Sequence, residues 1–418
     1  SKKFQVLAYG LAEDAGLSVF DIHTHPFQKV PHFSPIDERE SKINAHFFQK
    51  HVRAPSTMGL VVFNASLENF EGKLLDRNSR NFVPIQTVEV LGRHIRLLSQ
   101  LSPVRSETDE RFARHLLIPG WNQFNLECLK VALIGLGGNA ARILEHLLSL
   151  GVGRRGWIFG CDHDRFDASN LSRIPYANEE NIGQSKAEGA LEFAHWKDPK
   201  VNIHLLACGT EDPRALTWIK EAHLIISAVD RDVVRNTINR LAVQYLNPIL
   251  DLAAEIIPGE TGCEAGGQLR LIEPGATACL LCSGTLDLSS GNLEALSEKE
   301  REAVRRAGYV RGLDDTPTPS VLDLNGICAS LAISHLRRMI FGEPLDSMEY
   351  VFYNRQACRL TAASLPDPDP NCPVCGRQGI LGLGDSRLPD LYDGQSVHLE
   401  NGVVHPPKAS AEKGVNLT

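Results

Sequence analysis

The sequence predicts an α/β protein whose main domain is built on a parallel, Rossmann-like sheet. Two observations lead to this fold class. From residue 111 onward, short apolar runs alternate with helical segments, beginning with a strand at 130–135 and a helix at 140–150. The glycine-rich turn Gly135-Leu136-Gly137-Gly138 follows the first of these strands. Because strand–helix alternation builds a parallel sheet that helices cover on both faces, we expect such a sheet here.

A smaller α+β domain is predicted to precede this sheet, over residues 1–100. An apolar run at 17–22 reads as a short strand, a helical stretch follows at 37–51, and a buried strand is expected at 59–63. Residues 101–110, which include Leu101-Ser102-Pro103, are predicted to be a linker.

The second domain is expected to span residues 111–384. Residues 385–418, which are rich in Gly, Pro and polar side chains, are predicted to form a flexible tail. Within the second domain the alternation continues with strands at 156–161, 201–206 and 222–229 and with helices at 185–195 and around 213–221.

The overall composition is that of an ordinary soluble globular protein. Of the 418 residues, 43% are apolar and 22% are charged. The formal net charge of −8 and the absence of clustered Lys and Arg argue against a nucleic-acid partner. No apolar run approaches the roughly 20 residues that cross a bilayer, and the N-terminus lacks a signal-peptide core. We therefore expect a cytoplasmic protein without a membrane partner.

The first domain contains a candidate zinc site. His23-Thr24-His25-Pro26 places two imidazoles on one side of an extended segment, and Asp37 follows at the start of the expected helix. Two histidines and a carboxylate leave one zinc position open for water, which then supplies hydroxide near neutral pH. Ser34 would donate a hydrogen bond to the developing oxyanion. The alternative is a polar surface loop that happens to contain histidines.

The glycine-rich turn in the second domain indicates a phosphate-binding site. Gly135, Gly137 and Gly138 let the backbone approach phosphates, and the following helix N-terminus favours negative charge. An acidic residue at the end of the next strand lies where a ribose-binding carboxylate belongs. By itself this pattern fits an NAD-dependent oxidoreductase as well as an ATP-dependent enzyme.

Four cysteines form the strongest metal signal on the chain. They are arranged as two CxxC pairs, Cys279 with Cys282 and Cys372 with Cys375. Four thiolates supply a closed tetrahedral site, which is typical of structural rather than catalytic zinc. The alternative is four reduced, buried thiols without a metal.

Residues 1 to about 100 resemble the JAMM (JAB/MPN) metallopeptidases, whose HxHP…SxxD motif is carried here by His23, His25, Ser34 and Asp37. The resemblance implies a zinc-dependent isopeptidase. The spacing between His25 and Ser34 is one residue longer than is usual in that family. The family's general-base glutamate lies on a strand well upstream of the histidines, whereas only 22 residues precede His23 here and Glu13 is a poor substitute. Activity of this domain is therefore left open.

Residues 111 to about 375 resemble the ThiF/MoeB/HesA family of ubiquitin-activating-type adenylyltransferases. Arg111-Phe112-Ala113-Arg114-His115 is similar to the family's RYxRQ opening, which implies that Arg114 reaches the ATP of the partner subunit in a homodimer. Thr316-Pro317-Thr318-Pro319-Ser320-Val321 is similar to the PSV segment that enters a C-terminal helix.

The same resemblance implies a set of nucleotide-handling residues. Asp164 matches the ribose-binding position, and Asn170 and Arg173 match positions that hold the triphosphate. Lys186, in a GxxK-like helix start, would place a cation on the phosphates, and Asp230 would position Mg²⁺. Adenylation needs such cations and a metal around the leaving pyrophosphate. The implied cofactors are ATP, Mg²⁺ and Zn²⁺.

We interpret the chain as an activating enzyme for a prokaryotic-type ubiquitin-like protein, fused to a JAMM-type processing domain. It would adenylate the modifier's C-terminal carboxylate and could work with a conjugating enzyme. The first alternative is activation of a sulfur-carrier protein for cofactor or tRNA thiolation. A second is a regulatory scaffold that binds a modifier without turnover.

The sequence also predicts how the activated modifier is handled. No cysteine lies between Cys282 and Cys328, the region in which conjugating relatives carry a thioester-forming nucleophile. Most other cysteines lie in apolar segments and are expected to be core residues, with Cys263, near Gly266-Gly267, as the least implausible nucleophile.

Overall fold

A computed structural model describes most of the chain, and its contacts divide the protein into two compact units. The N-terminal unit comprises Ser1–Val90 and Arg96–Asp109, and the C-terminal unit comprises Leu91–Ile95 and Glu110–Thr418. No helix among the described residues is long and apolar enough to cross a membrane. The described residues are 2–54, 56–100, 109–259, 262–286, 319–345, 350–386, 398–400 and 403–405. The predicted linker at 101–110 therefore lies mostly outside them.

The N-terminal unit combines two helices with short strands. Its elements are α1 (Lys2–Ala15), β1 (Val19–Thr24), α2 (Pro35–His51), β2 (Met58–Phe63), β3 (Phe70–Asp76), β4 (Asn81–Pro84), β5 (Thr87–Val90) and β6 (Arg96–Ser99). In the described residues, β1, β2, β3 and β4 form one sheet in that order, with β1 parallel to β2 and the other pairs antiparallel. The strands β5 and β6 form a separate hairpin.

Apolar side chains cover both faces of this small sheet. On one face, Phe48 of α2 is fully buried against Tyr9 of α1 and against Leu60 of β2. On the other face, Phe63 and Phe70 pack with side chains of the β5–β6 hairpin. Alternate side chains of the same strands therefore pack into two apolar layers, one on each face of the sheet, because successive residues of a strand point to opposite faces.

The C-terminal unit is built around one mixed sheet. Its elements are α3 (Gln123–Glu127), β7 (Lys130–Ile134), α4 (Gly138–Leu150), β8 (Trp157–Cys161), α5 (Lys186–Lys197), β9 (Ile203–Leu206), α6 (Pro213–Lys220), β10 (Leu224–Ser227), α7 (Asp232–Tyr245), β11 (Ile249–Gly259), β12 (Gly262–Ile272), α8 (Leu322–Phe341), β13 (Tyr350–Asn354), β14 (Arg359–Ala363), β15 (His398–Glu400) and β16 (Val403–His405).

The strand order confirms the predicted parallel sheet and adds an antiparallel half. Among the described strands the order is β14-β13-β12-β11-β10-β7-β8-β9. The strands from β11 to β9 are parallel, whereas β12, β13 and β14 extend the sheet antiparallel to their neighbours. Sequence periodicity did not predict this extension, because pairing partners far apart in the chain leave no local pattern.

The part of the chain predicted to be a flexible tail is only partly described. Within it, β15 pairs with β16, and Asp385 accepts a hydrogen bond from the Lys220 ammonium group at 3.0 Å. The flexible tail stays a prediction.

The turn after β7 requires glycine at positions 135 and 138. Gly135 has a φ of +86°, and a Cβ there would lie 3.0 Å from the Ala228 carbonyl oxygen. A Cβ on Gly138 would collide with the Asn325 side chain of α8. The turn therefore packs tightly between β10 and α8, and α4 begins directly behind it.

Candidate functional site

A cavity of about 520 Å³ lies at the carboxyl ends of β7, β8, β9 and β10. Ligands of parallel α/β sheets bind at this edge of the sheet. The predicted site residues in its lining are Gly135, Gly137, Gly138, Asp164, Arg173, Lys186 and Asp230. The tertiary structure thus brings together residues that are up to 95 positions apart in the chain.

The start of α4 offers backbone donors to this cavity. Gly137 is the N-cap residue of α4, and no side chain caps the helix there. The first N–H groups of a helix have no intrahelical partner, and together with the helix dipole they favour a bound anion. The turn and the helix start can therefore hold phosphate oxygens.

Lys186 and Asp164 form an ion pair at the cavity wall. The Lys186 ammonium nitrogen lies 2.7 Å from a carboxylate oxygen of Asp164, and the Lys186 side chain is nearly buried. The Lys186 N–H also donates to the Asp164 carbonyl oxygen at 3.0 Å. These contacts hold a cation and an acceptor at one place in the cavity.

Asn170 lies on a short 3-10 turn, Ala168–Ser172, and Arg173 lies at the end of this turn. Arg173 lines the cavity and donates to the Ser169 carbonyl oxygen at 3.1 Å. Asn170 is buried beneath the turn, and its side-chain oxygen has no hydrogen-bond partner among the described residues. Asn170 is thus placed beside the cavity lining rather than in it.

Asp162 is a site residue to which the sequence analysis gave no role of its own, since it assigned the nucleotide-binding position to Asp164. It follows β8 directly, and its carboxylate accepts hydrogen bonds from the Leu136 N–H at 2.7 Å and the Asp164 N–H at 2.8 Å. Asp162 therefore ties the glycine turn of one strand to the end of the next. Its position immediately after a buried strand was the available signal.

A buried ion pair supports the loop that carries Asp230. Arg235 of α7 donates to Asp251 of β11 at 3.2 Å and to Asp232 at 2.9 Å, and Asp251 is fully buried. Burial alone would lower the pKa of Arg235, but the hydrogen bonds and charges of the two carboxylates raise it. Ser227 also donates to Asp251. This network fixes the start of α7, directly after the exposed Asp230.

The four CxxC cysteines converge, as their spacing predicted. The sulfur of Cys279 lies 3.8 Å from that of Cys372, and the sulfur of Cys282 lies 3.9 Å from that of Cys279 and 3.5 Å from that of Cys375. A tetrahedral zinc with Zn–S bonds of about 2.3 Å sets neighbouring sulfurs about 3.8 Å apart. The four thiols therefore fit zinc.

The histidines of the N-terminal unit also converge on one carboxylate. The Nε2 atoms of His23 and His25 lie 3.4 Å and 3.3 Å from the two oxygens of Asp37. The Nε2 atom of His23 is buried and has no hydrogen-bond partner among the described residues. A buried nitrogen with no such partner beside a second imidazole and a carboxylate fits a metal ion.

The opposite ring nitrogen of each histidine lies near an oxygen atom, within hydrogen-bond distance only at His25. The Nδ1 atom of His25 lies 2.9 Å from the His32 carbonyl oxygen, and the Nδ1 atom of His23 lies 3.6 Å from Asp21. The contact at His25 directs its Nε2 lone pair toward the shared point, whereas 3.6 Å is too long for a hydrogen bond at His23.

Ser34 and Glu13 have structural partners. Ser34 is the N-cap of α2: its Oγ accepts from the Asp37 N–H at 3.2 Å, and its own N–H donates to Asp37 at 2.7 Å. This capping box orients the Asp37 carboxylate. Glu13 accepts hydrogen bonds from the Arg53 and Ala54 N–H groups, so its carboxylate joins α1 to the end of α2.

The remaining cysteines differ in how far they are exposed to solvent. Burial raises the pKa of Cys208 and of Cys328 to about 11, which makes both poor nucleophiles. Cys263 is exposed on β12, and Cys358 is exposed at a positive φ of 46°. Cys358 is therefore an exception to the expectation that most of these cysteines are core residues, because it lies in the turn between β13 and β14. The loop at 283–315 lies mostly outside the described residues.

Comparison with known proteins identifies relatives of the C-terminal unit. The model of the ThiF family matches residues 112–374. "Adenylyltransferase and sulfurtransferase UBA4" of Debaryomyces hansenii is 27% identical over 280 residues, 65% of this chain and 56% of that protein. "Adenylyltransferase and sulfurtransferase MOCS3" of Mus musculus is 24% identical over 350 residues, 73% of this chain and 75% of that protein.

Another relative and one solved structure extend the comparison. The "Nedd8-activating enzyme E1 catalytic subunit" of Drosophila melanogaster is 33% identical over 176 residues, 39% of this chain and 37% of that protein. The chain thus spans between about a third and about half of the length of several curated relatives. The structure of E. coli MccB with AMPCPP and MccA superposes with a TM-score of 0.50 at 20% identity, over 65% of this chain and 76% of that chain. This likeness supports the fold.

Proposed function

Because the chain belongs to the ThiF family, we propose that its C-terminal unit adenylates the C-terminal carboxylate of a small carrier protein. One observation carries this proposal: the cavity combines a free helix N-terminus, Lys186, Arg173 and Asp230 at one sheet edge. The carboxylate oxygen attacks the ATP α-phosphorus, the bond to the β-phosphate oxygen breaks, and pyrophosphate leaves. The products are an acyl-adenylate and pyrophosphate.

Each group has a role in this reaction. The N–H groups at the start of α4 bind phosphate oxygens, and Lys186 and Arg173 stabilise the charge that builds up on the leaving pyrophosphate. Asp164 accepts a hydrogen bond from a ribose hydroxyl, beside Asp162, which holds the turn in place. Asp230 would hold Mg²⁺, which supplies further charge neutralisation when bound. Catalysis here is positioning and electrostatic stabilisation rather than covalent chemistry.

A sulfur-carrier protein is our preferred substrate. Several relatives are named as adenylyltransferases and sulfurtransferases, which favours this alternative over the ubiquitin-like modifier that the sequence first suggested. Similarity to the Nedd8-activating subunit keeps the ubiquitin-like modifier as the second candidate. The test is ATP–pyrophosphate exchange driven by one purified protein of each class. Exchange with neither would contradict the proposed adenylation. Undiminished exchange in Asp230→Ala would overturn the assignment of Asp230 to Mg²⁺.

Arg114 would act on the nucleotide of a partner subunit. The rings of His115 and Trp121 are tilted against each other with centroids 4.7 Å apart, and the Trp121 ring centroid lies 4.8 Å from that of Phe341, the last residue of α8. Asn325, near the other end of α8, lines the cavity, and the 16 residues between correspond to about 24 Å of helix. Arg114 itself is not among the residues that line the cavity of its own chain, which supports a role in the cavity of a partner subunit.

An exposed apolar segment next to Arg114 supports this homodimer. Leu116, Leu117 and Ile118 follow Arg114, and Leu117 is 80% exposed. Contiguous apolar surface of this kind is typical of an interface. A two-fold axis would place the Arg114 segment of each subunit beside the cavity of the other.

A second candidate function belongs to the N-terminal unit: zinc-dependent hydrolysis of an amide bond at the carrier's C-terminus. The converging Nε2 atoms of His23 and His25 on Asp37 carry this proposal. Bound zinc would supply a water of lowered pKa. The four thiols of the C-terminal unit would hold a separate, structural zinc. Metal analysis of wild type and His23→Ala tests the zinc site at the histidines. Equal zinc contents in the two proteins would overturn this site.

A further inference from the structure

We propose that the side-chain amide of Asn325 holds the C-terminal residue of the carrier protein, pairing with its N–H and with one of its carboxylate oxygens. The second carboxylate oxygen is then left to attack the nucleotide. The inference rests on the adenylation proposed for the C-terminal unit. The groups assigned so far act on the nucleotide, whereas Asn325 acts on the second substrate.

Asn325 is a polar residue on the buried face of α8. Its neighbours on this face are Leu324, Cys328 and Ala329, and only 3% of Asn325 is exposed. Asparagine is a poor helix former, and a buried amide costs free energy unless its polar atoms are paired. The packing of α8 therefore gives no reason for an amide at this position.

The amide of Asn325 is only weakly paired within the protein. Its Nδ2 atom donates to the Ser320 hydroxyl at 3.3 Å, just beyond the usual range of about 2.7–3.2 Å. Among the described residues, none donates a hydrogen bond to its Oδ1 atom. Asn325 and Ser320 both line the cavity. One N–H and the oxygen of the amide therefore remain for a ligand.

Asn325 lies beside the expected phosphates and away from the expected ribose. A Cβ on Gly138, at the start of α4, would collide with the Asn325 Nδ2 atom. Asp164, the expected ribose acceptor, follows β8, whereas α8 packs against α4 and over β11 and β12 on the other side of β7. The cavity wall there includes Ala254, Ser320 and Asn325. This end of the cavity is left for the carboxylate that attacks the α-phosphorus.

An amide side chain matches one residue of an extended peptide tail. The N–H and C=O groups of an extended residue point to the same side of the chain, so an amide can accept from one and donate to the other. At a C-terminal residue, the second partner is a carboxylate oxygen. A phosphate offers acceptors alone and would leave the Asn325 Oδ1 atom unpaired. The amide therefore fits the end of the carrier tail better than it fits the nucleotide.

This pairing orients the attacking oxygen. In a C-terminal residue the nitrogen and the carboxylate carbon are about 2.5 Å apart, because both are bonded to the same Cα atom. A residue that is held at its N–H and at one carboxylate oxygen has its other oxygen fixed in place. Holding the reacting groups together in this way raises the rate without covalent chemistry.

The test compares the binding of two carriers to the full chain. One is a purified sulfur-carrier protein labelled with fluorescein away from its C-terminus, or a ubiquitin-like protein if only that one drives exchange. The other is the same protein with an ester oxygen in place of its last N–H. Binding is measured by anisotropy in the presence of AMPCPP, whose methylene group between the α- and β-phosphorus atoms prevents release of pyrophosphate. Wild type should bind the ester carrier about tenfold more weakly, because the Asn325 oxygen is left unpaired.

Asn325→Leu keeps the approximate shape of the side chain and removes both polar atoms. It should bind the natural carrier about tenfold more weakly than wild type does, show no further loss with the ester carrier, and bind AMPCPP like wild type. Ser330→Ala, at an exposed position of α8 outside the cavity lining, is the control and should keep the tenfold difference between the carriers. If Asn325→Leu is not folded, Asn325→Ala takes its place with the same expectation.

The two carriers and the variants decide the proposal. Equal preference for the natural carrier in wild type and Asn325→Leu overturns it, because another group then holds the tail. Equal binding of both carriers by wild type also overturns it. Weaker AMPCPP binding by Asn325→Leu with an unchanged carrier preference overturns it as well, and assigns the amide to the nucleotide. Pyrophosphate exchange by wild type separates the two claims: exchange beside any of these results refutes only the role of Asn325, whereas no exchange with either carrier class refutes the adenylation, and the binding comparison still decides whether Asn325 holds the tail.

Discussion

Mixing two inactive variants tests whether Arg114 completes the cavity of a partner subunit. Arg114→Ala removes the donated cation and leaves the chain's own cavity intact. Asp230→Ala disables the cavity and leaves Arg114 intact. We expect each variant alone to lose roughly 10²–10³-fold in pyrophosphate exchange, the loss typical of a group that stabilises transition-state charge.

The recovery expected on mixing follows from the geometry. Arg114 does not line the cavity of its own chain, so the composite-site proposal requires it to act across a subunit interface. In a mixed dimer, the Arg114→Ala chain supplies a sound cavity and its partner supplies the arginine. Random exchange gives about half mixed dimers, each with one of two sites complete, so activity should return to about 25% of wild type.

The assay is carrier-driven ATP–pyrophosphate exchange after subunit exchange has been verified by mass-resolved analysis. Exposed Leu117→Ser serves as a companion variant, because weakening the apolar segment should lower the activity of the mixture by reducing dimer formation. No recovery despite verified mixed dimers would refute the composite site. Full activity of Arg114→Ala alone would show that Arg114 has no role in the reaction.

Three other properties can be measured directly. Arg235→Met should destabilise the chain by about 3–5 kcal/mol in urea unfolding, because it leaves the carboxylate of Asp251 buried and unpaired; an unchanged midpoint would show that the ion pair is not essential. Elemental analysis should give about two zinc equivalents per chain; Cys372→Ser should remove one and lower stability, whereas His23→Ala should remove the other and leave adenylation intact. Incubation with ATP and carrier should give a tightly bound adenylate and no thiol-sensitive adduct; a reducible adduct that disappears in Cys263→Ala would instead identify Cys263 as a nucleophile.

The two proposed activities act on different states of the carrier protein. Adenylation consumes a free C-terminal carboxylate, whereas hydrolysis of an amide at that carboxylate would regenerate it.

The sequence by itself determined the parallel half of the large sheet and the residues around its cavity. Buried strands such as β7 and β8 are continuous apolar runs, and glycines follow the first of them, so local pattern predicted both the strands and the turn. Motif spacing likewise singled out the four thiols and His23, His25 and Asp37 as groups, because each residue type answers a known chemical need. Their roles as ligands stay predictions.

Only the tertiary structure decided the remaining features. Asp162 ties the glycine turn to β8 through backbone N–H groups, and Asp251 meets Arg235 from a distant strand; neither contact leaves a periodic signal, because it joins segments that are separate in the chain. The antiparallel strands β12 to β14 depend in the same way on how elements pair. Local sequence sets which segments become strands or helices, whereas packing between distant segments decides which side chains meet and which edges stay open.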